Sequence, residues 1–448
     1  MRKYLRKLAS EAMWAACRLL PIQKNKVVFC SAGGRGFGDN PKAVALALAE
    51  QQPGLDLVWL TKNMNNEFPA GIRPCPYGSP QAVKELSTAK VWVNDSRGGA
   101  HYKRRGQSYL QTWHGFALKH IERQAVNLPQ HYVEQCRKDS GQIDLIVSNS
   151  AFMTRVYRED FWYEGEIREF GSPRNDILFR ANDCGEKVKR FFGLKETCNL
   201  LLYAPTFRDN GSVDGYAFDP EGALAACETR FGGQWSALLR LHPNAAALSK
   251  GLFPYDGKRI IDATAYPDMQ ELLIACDLLI TDYSSSMFDY ALSGKPCVQF
   301  ALDLEDYQND RGFYFPLDEL PFPMARSNEE LCAILAGFDE EVQKKSWNAF
   351  AAELLAKELG KLTGIPVDTG YLVRREKTTP QKELTRQQRK VNLKKAFEVS
   401  STGKYYKRVL LIDDIYTTGA TIDAISEILR ENKTKIIFFL TICVGRNE

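Results

Sequence analysis

The chemistry in this chain is concentrated in four short polar clusters. The first is Gln111-Thr112-Trp113-His114-Gly115-Phe116-Ala117-Leu118-Lys119. Histidine is the side chain best suited to take a proton near neutral pH, and glycine lets backbone approach closely. Taken by itself, His114 reads first as a structural histidine. The second cluster, Ala204-Pro205-Thr206-Phe207-Arg208-Asp209, places a hydroxyl and a guanidinium where a strand ends, which suits a phosphate. By itself a turn explains it better. In the third, Leu239-Arg240-Leu241-His242-Pro243, alternation along a strand puts Arg240 and His242 on one face. Such a pair neutralises charge in phosphoryl transfer, or equally forms a solvated strand end. The fourth, Ile280 to Asp289, runs Thr281-Asp282-Tyr283-Ser284-Ser285-Ser286 into a helix. A hydroxyl-rich turn at a helix start can hold an anion, although Ser is also an ordinary helix cap. Asp289 could accept from a ribose or polyol hydroxyl.

The elements that carry these clusters alternate. Residues 26–31, 55–60, 90–95 and 145–149 read as buried strands, with a glycine-rich stretch at 32–38 and a helix at 41–50. The pattern restarts with strands at 199–204, 236–241, 277–281 and 297–300. Strands alternating with helices imply parallel sheets, and two such domains leave a cleft at the carboxyl ends of their strands. The expected divisions are a basic amphipathic helix at 1–25, Rossmann-like domains at 26–170 and 171–347, and a third region at 348–448. In that region a helix at 350–363, a strand at 408–412, a loop at 413–421, a helix and a last strand at 435–444 follow in turn.

The 44% hydrophobic and 25% charged residues of the 448-residue chain are ordinary globular values, so it buries real cores. A net charge of +4 conceals basic ends. Residues 1–26 carry seven Lys/Arg against one acid, and residues 371–408 twelve against three. That points to a phosphate-rich ligand or an anionic membrane surface; solvated helix faces are the plainer reading. The eleven cysteines show no C-x-x-C or Cys/His cluster, so neither a metal site nor a secreted disulfide framework is expected. Leu5, Leu8, Ala12, Ala15 and Leu19 recur at helical spacing in a stretch too short and too charged to span a bilayer. The helix lies on a membrane face or packs on the domain, and the sequence leaves both open.

Together and in this order, the clusters resemble the CDP-glycerol glycerophosphotransferase family of teichoic-acid primases and polymerases. The resemblance covers residues 20–345. It rests on QTWHG (111–115), SNS (148–150), GSPRND (171–176), LLYAPTFRD (201–209), LRLHP (239–243), TDYSS…FDYALSGKP (281–296) and DLEDYQNDRGFYF (303–315). It implies an α/β fold of two Rossmann-like domains in the glycosyltransferase-B style. It further implies transfer of glycerol phosphate from CDP-glycerol to a lipid-linked or polymer acceptor, with CMP released. His114 is then the candidate base, with His242 and Arg240 on the donor phosphates. Thr112, Trp113, Gly115, Arg174, Pro205, Thr206, Arg208, Ser284, Ser285 and Asp289 are the expected donor-binding residues, with Lys119 a secondary candidate. A ribitol donor in the same fold remains the alternative. No metal or other cofactor is required for the transferase, and no nucleic acid is expected. The expected location is peripheral, at the cytoplasmic face of the cell membrane, on an anionic surface, with an oligomer left open. Where the family usually follows Trp-His-Gly with Thr-Pro, this chain has Phe116-Ala117.

The last region differs. Val409 to Thr421, with Asp413-Asp414 and Thr417-Thr418-Gly419-Ala420-Thr421, resembles the PRPP loop of type I phosphoribosyltransferases. The resemblance implies that Asp413 and Asp414 hold ribose hydroxyls. Thr417, Thr418, Gly419 and Thr421 would cradle a 5′-phosphate, with Mg2+ accompanying PRPP. Residues 351–448, including Thr379–Lys382, Arg386, Arg389 and Asn392, look like the competence-associated ComF family without its zinc finger and its pyrophosphate loop. The expectation is a partial phosphoribosyltransferase α/β domain fused near Trp347–Ala352, binding PRPP or phosphate rather than catalysing. A PRPP-binding fusion with a degenerate transferase is accordingly a further alternative for the whole chain.

Overall fold

The structure, a computed structural model, describes residues 2–65, 67–98, 102–126, 128–180, 183–208, 213–242, 245, 251–374, 396–400, 405–416 and 420–444. The chain divides into two compact units, Met1–Glu340 and Glu341–Glu448.

The first unit contains two all-parallel sheets. In one, β1 (Gln23–Cys30), β2 (Asp56–Thr61), β3 (Ile72–Pro76), β4 (Ala89–Asn94), β5 (Ser108–Gln111), β6 (Leu145–Ser148) and β7 (Glu166–Glu169) stand in the order β3-β2-β1-β4-β5-β6-β7. Alternate residues feed opposite cores. Val27, Phe29, Leu57 and Trp59 pack on one face, and Val28, Cys30, Val58 and Leu60 on the other. The second sheet holds β8 (Asn199–Ala204), β9 (Trp235–Leu239), β10 (Ile260–Asp262), β11 (Leu278–Thr281), β12 (Cys297–Phe300) and β13 (Met324–Ala325), ordered β10-β9-β8-β11-β12-β13. Each order reverses beside its first strand, between β1 and β4 and between β8 and β11. Ligands of open α/β sheets bind at such switch points.

The expected buried strands all fall on observed ones, with ends displaced by three residues or fewer. β3, β5, β7, β10 and β13 had no visible apolar run. β3 carries two prolines and edges its sheet, where a missing N–H is tolerated, and β5 and β7 are four-residue polar strands.

The N-terminal helix runs from Arg2 to Cys17. Trp14 is buried and stacks on Tyr102 at 4.4 Å between ring centres, with Met13 and Cys17 packed on the same core. Ala12 and Ala15 are exposed and Leu19, beyond the helix, is 87% exposed. The stripe expected through Ala12, Ala15 and Leu19 is therefore not the buried side. An aromatic stack buries far more area than two methyl groups. Among the described residues no helix is long and apolar enough to cross a membrane.

In the second unit, β14 (Leu372–Arg374) pairs antiparallel with β15 (Phe397–Val399), and β16 (Arg408–Tyr416) pairs parallel with β17 (Ile436–Val444). The helix Ala420–Glu431 connects the latter two and packs Ile425 and Leu429 against Tyr371. The expected loop from Asp413 is corrected. The strand continues through Asp413 and Asp414 to Tyr416, because Ile415 and Tyr416 extend the pairing with Cys443 and Val444. Thr421 lies in the first turn of the helix. Thr417, Thr418, Gly419, Thr379–Lys382, Arg386, Arg389 and Asn392 lie outside the described residues. The helix expected at 350–363 begins earlier, at Glu340.

Candidate active site

A cleft of about 410 Å³ opens between the carboxyl ends of the two sheets in the first unit. Residues from all four clusters line it.

One wall is the segment that leaves β5. Gln111 accepts a hydrogen bond from the Trp113 backbone at 2.9 Å and donates to the Tyr109 hydroxyl at 2.9 Å, which fixes the turn. Trp113 adopts φ 50°, a left-handed conformation that bulky residues rarely take, and its ring stacks on His114 at 4.3 Å. His114 Nδ1 lies 2.6 Å from the carbonyl oxygen of Asp95, at the end of β4. A carbonyl can only accept, so Nδ1 carries the hydrogen, and in the neutral ring the lone pair belongs to Nε2. Beneath this contact the buried Asp95 carboxylate accepts from Ser31 Oγ at 2.5 Å and from the Ala32 backbone at 2.9 Å. Burial, aided by the nearby Asp39 carboxylate, pushes the Asp95 carboxyl above its usual range. Gly115 has φ 130°, and a Cβ there would stand 2.5 Å from Arg174 Nη2 and 3.2 Å from Ser285 Oγ.

The facing wall comes from the second sheet. Pro205 and Thr206 follow β8, Arg240 and His242 follow β9, and Ser284 and Ser285 lie between β11 and the helix Ser286–Ala291. β9 stops at Leu239, so Arg240 and His242 belong to the loop beyond it and not to a shared strand face. Thr206 Oγ1 is buried with no hydrogen-bond partner among the described residues. Arg240 donates to the Tyr266 carbonyl at 2.6 Å, and burial lowers its pKa. Burial, and then the charges of Arg35, Lys119 and Arg240, hold His242 below the ordinary imidazole value. A half-buried imidazole among three cations is an electrostatic environment that favours an anion.

Four expected site residues are placed differently. Arg208 is 3% exposed and does not line the cleft. Its guanidinium meets Asp303 at 2.6 and 2.8 Å, Asp282 at 2.9 Å and the Thr206 carbonyl at 2.6 Å. Burial alone would lower its pKa, but the two carboxylates override that and raise it. It braces the loop instead of reaching a ligand. Thr112 is also buried away from the cleft, with its hydroxyl on the carbonyls of Asn94 and Trp113. Arg174 lines the cleft, but its Nη1 meets Asp39 at 2.9 Å and the His114 carbonyl at 2.8 Å, and its Nη2 meets Asp289 at 2.6 Å. Asp289 in turn takes Asn175 Nδ2 at 2.7 Å. Arg174 and Asp289 thus bind each other across the two sheet domains.

Sequence reasoning missed Asp39, Asn40, Asp95 and Gln270. Asn40 Nδ2 donates to the Thr112 and Trp113 carbonyls, and its Oδ1 accepts from the Arg174 backbone at 3.0 Å. Gln270 donates to Asn175 at 2.7 Å. A signal for the first two existed. Asp39-Asn40 directly follows the glycine-rich stretch at the end of the first strand, which is where a Rossmann-like half presents ligand-facing backbone.

Residues 12–354 match the sequence model of a family described as CDP-Glycerol:Poly(glycerophosphate) glycerophosphotransferase. The chain is 31% identical over 342 residues to a teichoic acid poly(glycerol phosphate) polymerase of Staphylococcus epidermidis, covering 72% of this chain and 47% of that protein. It is 29% identical over 363 residues to a teichoic acid glycerol-phosphate transferase of Staphylococcus aureus, covering 76% of this chain and 91% of that one. A solved structure of the wall teichoic acid polymerase TagF superposes with a TM-score of 0.67 at 28% identity, over 81% of this chain and 96% of that chain. The chain spans about half the length of the poly(glycerol phosphate) polymerases of S. epidermidis and Bacillus subtilis, 47% and 46% respectively.

Proposed function

The chain belongs to the CDP-Glycerol:Poly(glycerophosphate) glycerophosphotransferase family, and on that premise we propose that it moves glycerol phosphate from CDP-glycerol to a teichoic-acid or related cell-surface polymer. The observation that carries the reading is the His114 tautomer: Nδ1 is committed to the Asp95 carbonyl, leaving Nε2 as the proton acceptor of a cleft-lining side chain. In the proposed step an acceptor hydroxyl attacks the phosphorus that bears glycerol. Its proton passes to His114 Nε2 as the new P–O bond forms. The bond to the bridging oxygen breaks, and CMP leaves with the electron pair, its charge met by Arg240, His242 and the hydroxyls of Ser284 and Ser285. Arg174 and Asp289 hold the walls in register, a different role from direct donor contact.

The acceptor is lipid-linked or polymeric, and the protein works peripherally at the cytoplasmic membrane face, a placement that the basic N-terminal helix supports. The second unit is a partial phosphoribosyltransferase-like domain of the ComF kind that binds PRPP, with Mg2+ if the cation accompanies it. Its β16–helix–β17 arrangement, with Asp413 late in the strand, supports that reading. CMP release from CDP-glycerol with a glycerol-phosphate acceptor tests the main proposal. A donor panel including CDP-ribitol fixes the polyol. Binding of PRPP but not CDP-glycerol in calorimetry overturns the transferase reading.

A further inference from the structure

His114 sits between two backbone positions of unusual geometry, Trp113 at φ 50° and Gly115 at φ 130°. Such a segment keeps its shape only where its surroundings over-determine it. Aromatic anchors on either side of the histidine do so. Trp113 is buried in the first sheet domain, edge-on to Phe161 at 4.7 Å. Phe116 reaches the second sheet domain instead. Its ring meets Phe288 of the helix Ser286–Ala291 at 4.5 Å and Phe315, between β12 and β13, at 5.8 Å. From its own domain it takes Phe152 of the helix Ala151–Asp160 at 4.9 Å, and Phe152 meets Phe315 at 4.8 Å. Rings at these spacings attract beyond the area they bury. Phe288 directly precedes Asp289, the partner of Arg174, so an aromatic and an ionic bridge between the domains fall on one helical turn. The same helix follows Ser284 and Ser285, which line the wall facing His114. His114 belongs to one domain and the residues proposed for the donor phosphates to the other. Their separation is therefore set by the side chains that cross, and an error of about 1 Å can cost about a hundredfold in rate. Arg174 crosses from the segment after β7 and takes the His114 carbonyl. Phe116 crosses from the base loop itself. It is also where this chain departs from the family's usual Thr, whose side chain could make no ring contact.

The geometry points to Phe116 as a positioning residue: through Phe288 the second domain holds the His114 imidazole in its working place, so the base is complete only when the two domains are engaged. The kinetic consequence rests on the transferase reading; the placing of the imidazole does not. Phe116→Leu keeps most of the apolar volume and removes the ring. In the full chain it should lower kcat for CMP release about tenfold, with KM for CDP-glycerol within about twofold of wild type. In a His114→Gln background the same change should cost less than about twofold, because the group it places is gone. Phe288→Leu, on the other side of the contact, provides a second variant should Phe116→Leu fail to fold. With the histidine rings isotopically labelled, the His114 resonances are assigned by their loss in His114→Gln. They should show the Nδ1–H tautomer in the wild type and a mixture of both tautomers in Phe116→Leu. An unmoved His114 tautomer in both variants overturns the proposal. Equal losses of kcat with and without His114→Gln, the mark of a defect in packing alone, overturn it as well. A raised KM at constant kcat assigns Phe116 to substrate binding and likewise overturns it. A shifted tautomer in a protein that releases no CMP supports the placing of the imidazole and overturns the transferase reading.

Discussion

Between His114 and Arg174 there is no room for a side chain at position 115. A Cβ would overlap the Arg174 guanidinium and would need φ 130°, a conformation that L residues avoid. Gly115→Ala should therefore lower CMP release by about a hundredfold and stability by about 1–3 kcal/mol, read by steady-state kinetics and urea unfolding. A variant of wild-type activity would show that the loop yields freely. His114→Gln should cost about 10²–10⁴ in turnover, with donor affinity little changed. Loss of affinity at constant turnover would argue against a base. His242 makes a proton-linked prediction. Its folded pKa lies below the ordinary 6.5, so its contribution to stability is complete above about pH 6.5 and is lost as pH falls through the lower folded value. A diphosphate among Arg35, Lys119 and Arg240 reverses the electrostatic part of that depression. Binding of CDP-glycerol near pH 6.5 should then take up protons. Calorimetry in two buffers of different ionisation enthalpy measures this, and identical heats would remove His242 from the donor phosphates.

At the level of elements, the segment after β7 is the joint between the two sheet domains. Arg174 reaches Asp39, at the start of the helix Asp39–Gln51, the carbonyl of the β5 loop and Asp289 of the helix Ser286–Ala291. Arg174→Met should cost about 3–5 kcal/mol, because it leaves the buried Asp289 and the half-buried Asp39 uncompensated. In a double-mutant cycle with Asp289→Leu the losses should be markedly less than additive. This joint was only half legible in the sequence. Arg174 stood out as a polar residue in a family-like motif, but its partner charges are over a hundred residues away on either side, and no local pattern reports them. The same holds for Arg208, whose motif suggested a phosphate and whose partners, the buried Asp282 and the half-buried Asp303, are brought to it only by the fold. Buried runs such as Asn199–Ala204 were legible because a strand covered on both faces must be apolar throughout. β5 and β7 were not, since short strands with alternating polar residues resemble loops.

Across the whole molecule, the two units are expected to answer to different ligands. CDP-glycerol at a hundredfold above its dissociation constant should stabilise the first unit by about 2.7 kcal/mol. In hydrogen exchange the protection should appear in the segments 111–119, 204–206, 239–242 and 281–289, with the second unit unmoved. PRPP should protect only the second unit, around Arg408–Tyr416 and Ala420–Glu431. Protection of both units by either ligand would contradict a separation of sites.

The Asp39–Arg174–Asp289 arrangement also bears on how such a protein can diversify. Losing either Asp leaves one ion pair intact, whereas losing Arg174 first strands the buried Asp289, so only that order passes through a poorly folded ancestor. Lineages descending from a common form should therefore keep Arg174 wherever Asp289 is kept, and in an alignment of such chains the positions 174 and 289 should vary together.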